Sequence, residues 1–159
     1  EKRLIKAQRQ LSGQPKRSKE RYKRRKIVAK IHARIRNKRN NFAHQVSSYL
    51  IKNYDQIFFE DLNIRGMMKN HYLAKAIGDA AWSQTINYTI YKAEYADRTV
   101  RLVNPKNTST TCHNCGHHQK LTLDMRIFNC AICHLSICRD LNASRNILRL
   151  GLKSLGINP

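Results

Sequence analysis

The chain has 159 residues and carries 31 Lys and Arg against 10 Asp and Glu, a net charge of +21 at pH 7. This excess favours a polyanionic partner, with nucleic acid as the first candidate. No apolar run approaches the roughly 20 residues that cross a bilayer, and the basic segments lack a bulky aromatic face, so we expect no membrane partner. The charged segment from Glu1 to Ser12 does not resemble a secretory signal, which favours the cytosol.

Two basic helices are predicted at the amino-terminal end. The first 44 residues hold 17 Lys and Arg against only Glu1 and Glu20. We expect a helix over residues 2–11, a break at Ser12-Gly13-Gln14-Pro15, and a long helix from the N-cap Ser18 to about Lys52. This pattern predicts a basic helical hairpin over residues 1–52. The long helix should bury one apolar stripe, formed by Ile27, Ile31, Ile35, Phe42, Val46 and Leu50.

The start of the long helix and the preceding turn contain the highest density of positive charge. We expect this cluster to contact a nucleic-acid backbone, although a solvated helix face is the simpler alternative. The cluster comprises Lys16, Arg17, Lys19, Arg21, Lys23, Arg24, Arg25 and Lys26.

Residues 53–107 are predicted to alternate strand, helix and strand. The apolar run Ile57-Phe58-Phe59 ends abruptly at Glu60, as a buried strand does where it reaches solvent. A loop with Gly66 follows, and then a single Ala-rich helix over residues 73–96. A second strand is expected over residues 99–103, before Pro105. The segment is therefore expected to be an α/β unit.

Two C-x-x-C pairs in residues 108–137 predict a zinc ribbon. Cys112 and Cys115 are separated by 14 residues from Cys130 and Cys133, and the gap contains two short strand-like pieces, Leu121-Thr122-Leu123 and Ile127-Phe128. Four thiolates complete the tetrahedral shell of one Zn²⁺ ion. The alternative is a set of free buried cysteines.

Four histidines and one further cysteine lie near this site. We expect no histidine ligand, because four thiolates already fill the zinc coordination shell. Cys138 has three open interpretations, namely a small buried side chain, an alternative ligand or a reactive thiol. The histidines are His113, His117, His118 and His134.

Glu60 and Asp140 are the two candidate catalytic acids. Two-metal hydrolysis of a phosphodiester requires carboxylates that converge from separate elements, and strand ends and helix starts are suitable places for them. Asp140 just precedes a predicted helix over residues 142–150. The simpler alternatives are a helix-dipole acid for Asp140 and an exposed strand terminus for Glu60.

Three segments together resemble one known family. They are Phe59-Glu60-Asp61-Leu62-Asn63-Ile64-Arg65-Gly66-Met67, the first cysteine pair with the preceding Thr108-Ser109-Thr110-Thr111, and Arg139-Asp140-Leu141-Asn142-Ala143-Ser144-Arg145-Asn146-Ile147. With the second cysteine pair, they occur in the order and spacing of the carboxyl-terminal half of TnpB (OrfB) proteins of insertion sequences. The resemblance runs from the basic hairpin to about Leu150.

The resemblance implies a partial RNase H-like fold of the RuvC type, interrupted by the zinc ribbon and completed by a carboxyl-terminal helix in residues 138–159. It also implies a prokaryotic, nucleoid-associated, RNA-guided DNA endonuclease related to type V CRISPR effectors. Guide RNA and target DNA would be its partners, and Arg145 would contact nucleic acid. Glu60 matches the second acid of the family and Asp140 the third, and both would bind Mg²⁺ or Mn²⁺.

Two departures from the family pattern qualify that expectation. The first acid, an Asp upstream of the hairpin, has no counterpart here, so we expect an upstream polypeptide to supply it and this chain alone to be inactive. Cys138 stands where the family usually has Asp. A non-catalytic RNA-guided or zinc-ribbon nucleic-acid-binding protein and a strand-transferring transposase are the alternative functions. Retention of Glu60 and Asp140 favours the nuclease.

Overall fold

The computed structural model describes residues 2–122 and 124–158. In chain order, the elements are α1 (Lys2–Ser12), α2 (Lys19–Asn53), β1 (Gln56–Glu60), α3 (Ile64–Met67), α4 (Ala74–Ala80), α5 (Trp82–Tyr95), β2 (Thr99–Val103), β3 (Ile127–Asn129), β4 (Ser136–Cys138) and α6 (Arg139–Ser154). This is a mixed helix and strand architecture. None of the described helices has the length and apolarity that crossing a bilayer requires.

Helices α1 and α2 form the expected hairpin. Ser18 is the N-cap of α2, because its hydroxyl oxygen accepts a hydrogen bond from the Arg21 amide at 3.1 Å. The Arg21 guanidinium donates to the carbonyls of Leu11 and Gln14, at 3.1 and 2.9 Å. It thereby satisfies one carbonyl at the end of α1 and one in the turn, and it fixes the turn between the two helices.

The buried face of α2 differs from the expected stripe. Ile31 is buried as predicted, but Ile27 and Phe42 are 43% and 52% exposed, whereas Ala43 and Ser47 are fully buried. Helix α5 packs along α2 and buries Thr89 and Ala93. The small side chains on both helices permit a close approach that the bulkier apolar residues would prevent. The size of the side chains, rather than their hydrophobicity, therefore determines which face of α2 is buried.

Strands β1 and β2 form a parallel pair in which Glu60 lies opposite Val103. Helices α3, α4 and α5 make the crossover between them. The single helix expected over residues 73–96 is wrong, because Ala81 adopts a left-handed conformation with φ of 51° and separates α4 from α5. The expected loop around Gly66 also contains the short helix α3.

Helix α6 packs against both strands of this sheet. It begins at Arg139 and ends at Ser154, so it is longer than the predicted residues 142–150 and includes Asp140 in its first turn. Gly151 provides the closest approach, since a β-carbon there would lie only 2.2 Å from Cδ1 of Phe58. The absence of a side chain at this position therefore lets the helix lie directly on the aromatic ring of β1.

The ribbon has its own small core of Cys112, Phe128 and Cys130. Its two strands, β3 and β4, pair antiparallel, with Phe128 opposite Ile137. The expected strand piece at Ile127-Phe128 is confirmed, but Leu121 and Thr122 are not in a strand and Leu123 lies outside the described residues. The partner strand is β4, which ends at Cys138, one residue beyond the expected limit of the ribbon.

Candidate metal and nucleic-acid sites

The four predicted cysteines converge at one point. Their sulfur atoms all lie within 4.8 Å of one another, with Cys112 and Cys133 at 3.6 Å and Cys115 and Cys130 at 3.5 Å. Four thiolates around one zinc ion, with Zn–S bonds of about 2.3 Å, would place the sulfurs about 3.8 Å apart. The donor set and its geometry are therefore compatible with zinc.

Local hydrogen bonds favour thiolates at some of these positions and not at others. The Asn114 side chain and the Leu135 amide lower the pKa of Cys133 to about 6. At Cys115 the His117 amide also favours the thiolate, but desolvation and the three neighbouring sulfurs outweigh it and raise the pKa to about 12. A bound dication would remove this conflict, because it stabilises all four thiolates together.

The neighbouring residues do not enlarge the ligand set. In the described part of the chain, the only group of three or more potential metal ligands is the four-cysteine cluster. His113 instead receives a hydrogen bond at Nε2 from the Arg145 guanidinium, at 2.9 Å. Desolvation, with Arg145 and Arg149 nearby, lowers its pKa. Cys138 is exposed and outside the cluster, so the interpretations as a buried side chain or an alternative ligand are wrong.

Glu60 lies at the end of β1 and is half-buried. The hydroxyl of Thr108, in the loop after β2, donates to its Oε1 at 2.6 Å. A carboxylate has roughly four lone-pair sites, so this bond leaves capacity for a metal ion. Oxygen ligands of this kind suit Mg²⁺ and Mn²⁺.

Asp140 is exposed in the first turn of α6. Ile147 and Gly151 follow it by seven and eleven residues, close to two and three helical turns, which places all three on one face. Gly151 contacts Phe58 of β1, and Ile147 lines an apolar cleft together with Glu60. The two acids thus lie on elements that pack together, and the helical spacing aligns the exposed Asp140 with the residues of α6 that meet β1.

The basic cluster divides into exposed and internally bonded members. Arg21 holds the turn of the hairpin, and Arg24 bonds Gln10 and Glu20 at 3.0 and 2.9 Å. The other six side chains are exposed, although Lys23 lies 4.0 Å from Glu20 and Lys26 lies over the Tyr22 ring. These six available cations are Lys16, Arg17, Lys19, Lys23, Arg25 and Lys26.

Comparison with known proteins identifies the family. A model described as "Probable transposase", of the OrfB type of IS605 elements, matches residues 1–71, and one described as "Cas12f1-like, TNB domain" matches residues 82–147. A "TnpB-like protein" of Methanocaldococcus jannaschii is 33% identical over 130 residues, covering 80% of this chain and 30% of that protein. The chain belongs to the TnpB family.

Further relatives and a solved structure agree with this assignment. A Streptomyces pristinaespiralis protein named "Putative RNA-guided DNA endonuclease" is 40% identical over 152 residues, which cover 94% of this chain and 38% of that protein. In the cryo-EM structure of the Cas12f1–sgRNA–target DNA complex, one chain matches with a TM-score of 0.60 and 24% identity. The match covers 92% of this TnpB-family chain and 40% of the Cas12f1 chain, and it shows a shared fold.

Sequence reasoning missed three residues that connect these sites. Thr108, Asn142 and Asn146 are all buried, and each forms hydrogen bonds across the junction of sheet, ribbon and α6. All three occur within the segments that resemble the family, but residue type alone gave them no functional role. The signal was the spacing of the two asparagines by four residues, which puts two amides on one face of an otherwise amphipathic helix.

Proposed function

We propose that this chain is the carboxyl-terminal part of an RNA-guided, metal-dependent DNA endonuclease associated with a transposable element. The observation that carries the proposal is that two acids lie on packed elements, Glu60 at the end of β1 and Asp140 in the first turn of α6. The family relationship and the net positive charge support it.

Glu60 and Asp140 would hold Mg²⁺ or Mn²⁺ in a RuvC-type centre. Such ions activate water for attack on a phosphodiester and stabilise the leaving oxygen. Thr108 holds one oxygen of Glu60, and α6 carries Asp140 on a rigid element. The protein residues therefore supply orientation and negative charge for the ions.

The ribbon would hold one zinc ion through its four thiolates, and the exposed cations of the hairpin would bind guide RNA or the RNA–DNA heteroduplex. In RNA-guided systems base pairing reads the sequence, while the protein binds backbone and shape. A cationic surface spread along a helix suits that task because phosphate contacts carry no sequence information.

We further propose that an upstream polypeptide supplies the first metal-binding Asp and the remaining strands of the sheet. Within the described residues, β1 and β2 form a sheet of two parallel strands, and Leu102 of β2 is 45% exposed. Parallel sheets are normally larger and covered on both faces. The chain spans 38% of the Streptomyces relative and 30% of the Methanocaldococcus relative.

The test is cleavage of guide-matched DNA by the complex reconstituted with its upstream polypeptide and guide RNA. Glu60→Ala or Asp140→Ala should abolish cleavage and leave target binding nearly unchanged, because many basic contacts share the binding energy. Glu94→Ala, at an exposed acid of α5, is the matched control and should cleave normally. Guided binding without cleavage by the unaltered complex would favour a non-catalytic binding protein instead.

A further inference from the structure

Helix α6 holds the loop that leads into the first cysteine pair through two buried amides. Asn142 accepts a hydrogen bond from the His113 amide at 2.9 Å and donates to the Thr111 carbonyl at 2.7 Å. Asn146 donates to the carbonyls of Thr108 and Thr111, at 2.9 and 2.7 Å. The asparagines are 0% and 3% exposed, so water cannot readily replace these bonds.

Thr108 joins this amide network to the candidate catalytic acid. Its hydroxyl lies 2.6 Å from Oε1 of Glu60 and 3.1 Å from the Pro105 carbonyl. A hydroxyl donates only one proton, and the shorter contact has the length of a charge-assisted bond to a carboxylate. The proton therefore points to Glu60. Thr108 is 5% exposed and its own carbonyl is held by Asn146, so the donor occupies one defined position.

We propose that Thr108 is a positioning residue for Glu60, and that Asn146 holds Thr108 in place from α6. This inference rests on the proposed nuclease function. A carboxylate at a strand end can rotate about its terminal bonds, and a hydrogen bond to one oxygen would restrict that rotation and leave the other oxygen available to a metal ion. Loss of such an outer-shell partner typically lowers metal affinity or activity by roughly 10- to 100-fold.

The same bridge connects the nuclease centre with the zinc ribbon. Residues 108–113 begin at the donor of Glu60 and end beside the ligand Cys112. Because α6 carries Asp140 and both asparagines, a single helix positions Asp140, the Thr108 donor of Glu60 and the base of the ribbon. The ribbon therefore influences cleavage through the position of its first segment as well as through any contact with nucleic acid.

The experiment compares Thr108→Val with Thr108→Ser in the reconstituted guided complex. Valine keeps the branched shape and removes the donor, whereas serine keeps the donor. Mn²⁺ affinity, measured by electron paramagnetic resonance before DNA is added, should fall roughly 10- to 100-fold with valine, and the cleavage rate should fall with it. Serine should stay within about threefold of the unaltered protein on both measures. Zinc content and target affinity should not change.

Three results would overturn the inference. These are unchanged Mn²⁺ affinity in Thr108→Val, equal losses in the valine and serine variants, and an affinity loss that only follows loss of zinc. If valine disturbs folding, Thr108→Ala removes the same donor with a smaller side chain, and the same comparison with serine applies.

Glu60→Ala, measured in parallel, separates this inference from the proposed function. If it abolishes cleavage while Thr108→Val does not slow it, only the positioning role is lost. If Glu60→Ala itself cleaves normally, the nuclease assignment fails and the positioning role fails with it.

Discussion

The basic hairpin and the zinc ribbon place their functional groups in contrasting ways. Helix α2 alone has 35 residues and extends over about 50 Å, with cations along most of its surface. The ribbon instead gathers four sulfurs within 4.8 Å of one another, and the hydrophobic core of its described residues consists of Cys112, Phe128 and Cys130. In the proposed function, many weak contacts would share nucleic-acid binding by the hairpin, whereas the ribbon would depend on one metal ion.

This contrast shows why the two regions should tolerate substitution differently. A charge removed from the hairpin leaves the helices folded, because intrahelical hydrogen bonds and the packing of α1 and α5 on α2 remain. A sulfur removed from the ribbon would remove a ligand of the proposed zinc ion, which would supply most of the folding free energy of so small a unit. We expect graded losses in the hairpin and an all-or-none loss in the ribbon.

The largest expected effect is loss of the ribbon in the double variant Cys112→Ser and Cys130→Ser. Structural zinc contributes roughly 10–16 kcal/mol of apparent binding free energy in small zinc domains. We expect one zinc per chain in the unaltered protein and none in the variant, with fast amide exchange at β3 and β4. Elemental analysis and hydrogen exchange measure these outcomes.

Cys138→Ser is the matched control for the zinc experiment, because this thiol is exposed and outside the cluster. It should retain full zinc and normal exchange. Full zinc occupancy in the double variant would contradict a four-thiolate site. The expected all-or-none loss of the ribbon would then be wrong.

The next effect is a steep salt dependence of RNA binding by the hairpin. Affinity should fall roughly a thousandfold between about 50 and 200 mM salt if six or more phosphates are contacted. Changing the six available cations to Gln should flatten this slope while helix content stays the same. Fluorescence anisotropy across a salt series, with circular dichroism, measures both quantities.

Arg21→Gln is the control for the hairpin, because this guanidinium bonds one carbonyl at the end of α1 and one in the turn that follows. It should lower the stability of the turn more than it changes the salt slope. If the unaltered protein shows no salt dependence, the hairpin is a solvated surface and its distributed charges do not bind a polyanion.

The smallest effect comes from a single methyl group, and it contrasts the hairpin with α6, the helix that holds the base of the ribbon. Gly151→Ala should destabilise the sheet and α6 by about 1–3 kcal/mol, because its β-carbon would lie 2.2 Å from Phe58 and the ring must move. Gly13→Ala, in the turn of the hairpin, meets its nearest atom at 3.6 Å and should be close to neutral. Urea denaturation of both variants measures the difference, and equal stabilities would show that α6 does not need this close contact.

Local sequence signals predicted much of the fold and one complete site. The two helices of the hairpin, the Ser18 cap, both strands of the parallel pair and the convergence of four cysteines were all predictable. Each depends on residues close together in sequence or on a repeated spacing whose geometry is well defined. The family motifs singled out Glu60 and Asp140 as a pair of candidate acids, which composition alone did not favour, and their joint role stays a prediction.

Long-range packing decided the features of the fold that local sequence signals did not predict. The face of α2 that is buried contains Ala43 and Ser47, unlike the predicted stripe, because α5 packs there through Thr89 and Ala93. This partner helix is more than 40 residues away in sequence. The break at Ala81 and the length of α6 were likewise missed.

The sequence by itself therefore determined the ligands, the charges and most of the secondary structure, since these follow from residue type and local spacing. Only the tertiary structure decided that Thr108 meets Glu60 and that Asn142 and Asn146 hold the base of the ribbon. The physical reason is that a buried polar group must find a hydrogen-bond partner, and the fold, not the neighbouring sequence, determines which partner is within reach.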